Sequence, residues 1–182
     1  MSSNRFVLIV FLLMPAASNS LAEEVLIASE LSNSYHYVHH YEIVIDASTK
    51  EIWPAVIDMS SWMDELAMQH LSGPPLSEGQ VFMLYGDPNY LLEIVKLVPE
   101  RMLVAANLPS SVEGEDSVGI ATITLMESEG RTVVASSMVR QYTWSGEGPD
   151  PGRERRNSEE YRQLNETLWG NMLSRLKQQV EE

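Results

Sequence analysis

The sequence predicts an α+β fold in which a curved antiparallel β-sheet wraps around a long C-terminal α-helix, with two short helices after the first strand. Three observations lead there. Strand-like runs follow one another through connections short enough for hairpins, which favours an antiparallel meander. The helical patterns are segregated from those runs rather than alternating with them, which argues against a parallel α/β sheet. The stretch Asn157 to Val180 is a long amphipathic helix whose wide apolar face needs a broad partner.

Residues 1–22 read as a cleavable export signal. Arg5 is a positive start, Phe6 to Met14 is an unbroken apolar run, and Ser20-Leu21-Ala22 is a small-x-small cleavage site. The run is too short for a spanning helix, which needs about 20 apolar residues. The expectation is an exported protein, periplasmic or secreted, with no stable membrane insertion once the signal is removed. Residues 23–34 form a polar lead-in, and residues 35–182 a single domain with neither internal repeat nor second boundary.

Tyr35 to Ile45, rich in aromatic and β-branched residues, is the first strand. Ser48 and Glu51 form a capping box for a helix carrying Ile52, Trp53, Val56 and Ile57, in which Pro54 removes a hydrogen bond. Ser60 to Ala67 is a second short helix, and the Gly and Pro residues between 73 and 79 signal turns. Strands follow at Gln80 to Tyr85, Tyr90 to Val98 and Arg101 to Asn107, joined through 86–89 and 99–100. Pro109 to Ser117 is a polar, acidic loop. Two longer strands, Val118 to Met126 and Arg131 to Tyr142, meet at Glu129-Gly130, and 145–152 is an irregular loop. A sheet of six or seven strands is expected.

In the last helix Tyr161, Leu164, Leu168, Met172, Leu176 and Val180 share one face, widened by Trp169 and Leu173. Asn157 is the expected cap, with Glu160 completing a capping box. Gly170 costs about 1 kcal/mol relative to Ala in a helix interior, a cost expected where a neighbour packs close to the backbone.

The chain of 182 residues has no cysteine, which excludes disulfides, thiol catalysis and thiolate metal sites. It has 12 Lys and Arg against 26 Asp and Glu, for a formal net charge of −14. Such a surface repels phosphates, so no nucleic-acid partner is expected.

Several short motifs, in order, resemble the START-like helix-grip superfamily (SRPBCC), in particular its polyketide cyclase/dehydrase-like branch. Glu42 to Ile45 is similar to the end of the first strand, and Ala47 to Trp53 resembles the "x-a-s-p-e-x-V-W" start of the first helix. Asp58 and Trp62 resemble an aspartate with a nearby aromatic. Gly79 matches the glycine before the third strand, and Pro99 to Leu103 the "x-P-x-R-x-L" turn. The resemblance runs from about Tyr35 to the end. It departs at Pro54, directly after Trp53, and at Thr49-Lys50, where a proline is frequent. It implies an apolar ligand held between the sheet and the last helix, and it does not imply a reaction.

For chemistry the residues offer little. There is no nucleophile elbow, phosphate loop or dinucleotide fingerprint, and no cofactor is expected. His36 and His40 share a strand face, with His39 opposite and His70 distant, so no metal site is expected; zinc needs three or four converging ligands. Glu93 and Arg140 interrupt apolar strand runs. A lone buried charge costs several kcal/mol, so each either lines a partly polar pocket or faces solvent; alternation does not say which face is inner. The candidate ligand-binding residues are Tyr85, Tyr90, Glu93, Arg140, Tyr142, Trp169 and Met172, an aromatic and adaptable wall with polar tips. The expected function is binding of a small apolar, aromatic or lipid-like ligand. The alternatives are a cyclase/dehydrase-like enzyme using a pocket acid such as Glu93, or a protein-binding accessory module.

Overall fold

Alternation of side chains along the strands builds one sheet with one buried face. The computed structural model describes the backbone of residues 22–28, 34–112 and 115–182, and the side chains of 38–109 and 116–182. Its strands are β1 (Ala22–Ala28), β2 (Ser34–Ile45), β3 (Gln69–Ser72), β4 (Val81–Leu84), β5 (Asp87–Val98), β6 (Met102–Val112), β7 (Glu115–Ser128) and β8 (Arg131–Trp144). All eight pair antiparallel in the order β1-β2-β8-β7-β6-β5-β4-β3. The helices are α1 (Thr49–Ile57), α2 (Met59–Trp62), α3 (Arg153–Arg156) and α4 (Glu159–Glu181), with a 3₁₀ turn at Asp64–Leu66.

The sheet has more strands than the six or seven expected. β1 occupies what reads as a polar lead-in, and β3 lies between the second predicted helix and the turn signals, where no element is expected. All four residues of β3 are exposed, so it carries no apolar alternation to betray it. The supposed loop at 109–117 instead extends the β6–β7 ladder, with Ser110 opposite Ser117 and Val112 opposite Glu115. The predicted signal lies outside the described residues except for Ala22, which opens β1.

The β4–β5 turn also differs from expectation. It is the pair Tyr85-Gly86, both at positive φ (58° and 68°), and β5 begins at once with Asp87. Two central residues at positive φ suit the twist of a tight hairpin. Glu129-Gly130 repeats that geometry between β7 and β8, as the sequence predicts.

The capping box of α1 is present: Glu51 N donates to Ser48 Oγ at 3.4 Å and Ser48 N to Glu51 Oε2 at 2.9 Å. Pro54 is accommodated inside this helix. At α4 the cap is Ser158 rather than Asn157, its Oγ accepting from Tyr161 N at 3.1 Å.

Along the inner face of β7 the side chains shrink in one direction. Leu125 and Val134 face each other across β7 and β8, Leu103, Ile123 and Ser136 form the next row, then Ala105, Ala121 and Met138, then Asn107, Gly119 and Arg140. The C-terminal half of α4 seats Met172, Leu173 and Leu176 in the well-filled core, together with Ile52 and Val56 of α1 and Met59 and Trp62 of α2. Its N-terminal half lies over the rows of small and polar residues, and space is left beneath it.

Leu176 has no exposed surface, whereas Leu168 is only half-buried and borders that space. Leu176→Ala should therefore cost about 2–5 kcal/mol through lost burial and a cavity, and Leu168→Ala clearly less. Chemical denaturation of both variants checks this; equal losses would put Leu168 in the packed core instead.

Candidate functional site

The space under α4 is a cavity of about 540 Å³, within the usual range for small-molecule sites. Its floor is the inner face of β4 to β8, its roof α4 from Tyr161 to Met172, and its side the Met59, Met63 and Leu66 edge. The walls are mostly apolar: Leu92, Leu103, Ile123, Met138 and Leu168 contribute, with Ala105 and Ala121 supplying the room.

Six of the seven residues expected to bind ligand line it. Tyr142 is buried, Trp169 and Met172 descend from α4, and Arg140 projects from β8. Tyr85 and Tyr90 stand at the more open end, 55 % and 37 % exposed, their rings edge-to-face with centroids 6.1 Å apart. Glu93 is the correction. It alternates with Leu92 and Ile94, which are buried in the core, so its side chain lies on the opposite, outer face of β5 and takes no part in the cavity. Gly170 also departs from expectation: a Cβ there would meet nothing within 4 Å, so no neighbour requires the glycine.

The polar end of the cavity is built around Arg140. Its Nη1 donates to Tyr142 Oη at 2.9 Å, and that hydroxyl lies 3.3 Å from Tyr161 Oη on α4. The Arg156 guanidinium covers the Tyr142 ring at 4.7 Å from its centroid and pairs with Asp150. Burial raises the Tyr142 hydroxyl well above the ordinary tyrosine pKa against the opposing pull of Arg140, so it stays protonated. Asn107, Ser117 and Asn165 complete this end.

Sequence reasoning missed Asn107, Ser117 and Arg156. The first two sit on inner strand positions with no apolar neighbour pattern of their own, and Arg156 lies in a charged stretch before the last helix. Tyr161, on the predicted apolar face of α4, was the one signal for a second hydroxyl.

A second depression, of about 750 Å³, lies between α1 and the end of α4. It is open to solvent and edged by Asp46, Glu51, Asp58 and Glu181, so it lacks the enclosure an apolar ligand needs. Among the described residues no three His, Asp or Glu converge as a metal site, and no helix is long and apolar enough to cross a membrane.

His39, 5 % exposed on β2, stacks on Tyr41, which in turn stacks on Trp169. Burial, and then the nearby Arg140 charge, pushes its imidazole from 6.5 down to about 4. In the unfolded chain it titrates at its ordinary value. Between these two values only the unfolded state takes up the proton, so the stability His39 contributes is present above pH 6.5 and lost as pH falls toward 4. The loss is about 1.4 kcal/mol per unit of difference, on the order of 3 kcal/mol in all. Wild type should lose more stability than His39→Gln between pH 7 and pH 4 in parallel denaturation curves. Equal losses would mean that His39 titrates normally in the folded protein.

No protein-family model matches the chain, and no curated protein matches it in sequence. Solved structures do match. Norcoclaurine synthase from Thalictrum flavum is 14 % identical with a TM-score of 0.54, covering 85 % of this chain and 99 % of that one. Ara h 8.0201 is 12 % identical with a TM-score of 0.53, over 80 % of this chain and 97 % of that one. CalU16 from Micromonospora echinospora is 16 % identical with a TM-score of 0.51, over 89 % of this chain and 93 % of that one. At such identities the likeness concerns architecture. The chain has the helix-grip fold that its sequence motifs resemble, an antiparallel sheet gripping a long C-terminal helix.

Proposed function

We propose that the protein is an exported, non-catalytic binder of a small apolar, aromatic or lipid-like molecule, held in the cavity between the sheet and α4. The observation that carries this reading is the cavity itself: about 540 Å³ of space with largely apolar walls. Burial of apolar surface drives such binding at about 25 cal/mol per Å² before the costs of association. The fold alone does not separate binder from enzyme, since one of its similar structures is named a synthase. The lining supports the binder. Among the described residues the lining holds no carboxylate and no histidine, the usual general acids and bases, and Glu93 faces away.

A neutral environment-sensitive dye such as Nile red should bind wild type and be displaced by apolar competitors. Ala121 sits on the cavity floor, so Ala121→Leu should weaken dye binding several-fold while the protein stays folded by circular dichroism. Failure of wild type to bind Nile red or any apolar competitor would remove the binder reading.

Export rests on Arg5, the apolar run and Ser20-Leu21-Ala22. Cleavage after Ala22 would leave β1 intact but for its first residue. N-terminal sequencing of protein from its host should begin at Glu23; full-length chain recovered from the cytoplasm would contradict export.

A further inference from the structure

Charge in the cavity runs opposite to charge in the chain. The sequence has 26 Asp and Glu against 12 Lys and Arg, yet among the described residues the cavity is lined by Arg140, Arg155 and Arg156 and by no carboxylate. Arg156 is matched from behind by Asp150, whose side chain is only 4 % exposed. Arg155 stands at the exposed mouth, where water solvates it.

Among the described residues Arg140 has no counter-charge, and it lies inside the cavity. It projects from the inner face of β8 and lines the cavity. Among the described residues, its guanidinium has one hydrogen bond, to the neutral Tyr142 hydroxyl, and no carboxylate within ion-pair distance. Its Nε is buried without an acceptor. A cation withdrawn from bulk water with no counter-charge is costly, and a guanidinium cannot escape by losing its proton.

The backbone beside it is arranged to leave room. Gly119 lies between Arg140 and Asn107 in one row across the sheet. A Cβ on Gly119 would sit 3.5 Å from Arg140 Nε and 3.6 Å from Asn107 Oδ1, so the glycine keeps the gap between these polar groups open. The Tyr161 hydroxyl overhangs the same end from α4.

We propose that the ligand is an apolar molecule bearing one carboxylate, with the carboxylate against the Arg140 guanidinium and the apolar body running toward Trp169 and Met172. This rests on the cavity being the ligand site and specifies the class of ligand. A carboxylate fits the planar fork of a guanidinium, and those charge-assisted bonds are about twice as strong as neutral ones. A phosphate monoester would bring a charge of about −1.5 to −2 against a single unmatched inner cation. The cavity volume suits a single medium-length chain or a few fused rings.

The test compares dodecanoate, 1-dodecanol and methyl dodecanoate as competitors of Nile red at pH 8, where the acid is ionised and the tails are alike. Wild type should bind dodecanoate at least about tenfold more tightly than the alcohol or the ester, a difference of about 1.4 kcal/mol. Arg140→Met should abolish that preference while still binding Nile red. Should Arg140→Met not fold, Gly119→Val fills the same gap and should lose the preference instead. Equal affinities for all three on wild type, with Nile red bound and displaced, would overturn the carboxylate and leave the apolar binder standing. If Nile red and all three competitors fail to bind, the binder reading falls and this inference with it.

Discussion

Everything else in this structure depends on how α4 is seated on a sheet whose inner face is not uniform. The helix cannot bend to follow side chains that shrink from Leu125 and Val134 through Ala105 and Ala121 to Gly119. It therefore packs tightly where the inner face is bulky, and Met172, Leu173 and Leu176 are fully buried there. Toward its N-terminus the floor recedes, and Tyr161, Leu164 and Leu168 hang over space. Packed interiors tolerate few voids larger than a water molecule. A cavity of about 540 Å³ maintained by three small residues on two adjacent strands is thus set by the sequence.

The stability for this void comes from the other end of the molecule. Ile45, Ile52, Val56, Met59 and Trp62 are fully or almost fully buried against the C-terminal half of α4. The α1 capping box holds that helix at the sheet edge, and Glu181, near the end of α4, accepts from Asp46 N at 2.9 Å. The closed end anchors the helix. The packed core and the cavity lie toward opposite ends of one helix and meet at Trp169 and Met172.

The fold was legible because its largest elements carry strong periodicity. Spacings of three and four residues marked α4, and alternation marked β2 and β5 to β8. β3 was invisible because nothing in it is buried, and β1 because it lies in a segment whose composition resembles a leader and lead-in. The site was legible only in part, for a physical reason. Val95 and Val139 are apolar yet 41 % and 47 % exposed, so both faces of their strands look like core faces. Period two fixes which residues share a face, not which face the helix covers. Glu93 and Arg140 were therefore equivalent candidates in the sequence, and the placement of α4 separated them. Gly119 carried no signal in the sequence: its meaning lies in the Arg140 and Asn107 side chains on neighbouring strands, which no local pattern records.

Net charge and site charge are separate quantities, and here they have opposite signs. The carboxylates behind the −14 of the chain act through water and salt, which screen exposed charges beyond about 8–10 Å. Arg140 acts at contact distance in a cavity shielded from solvent, where an interaction between charges is several times stronger than in water. Its neighbour His39 belongs to the same electrostatic unit. An ordinary histidine would be partly protonated near pH 6.5 and would place a second cation beside the first. Burial and the Arg140 charge together hold His39 neutral down to about pH 4. Among the described residues the inner cavity therefore keeps a single unmatched positive charge across the neutral range, fixed by a guanidinium that burial cannot deprotonate. The proposed selection of one acidic group would thus follow from the side chains that surround the space, while the fold supplies only the space.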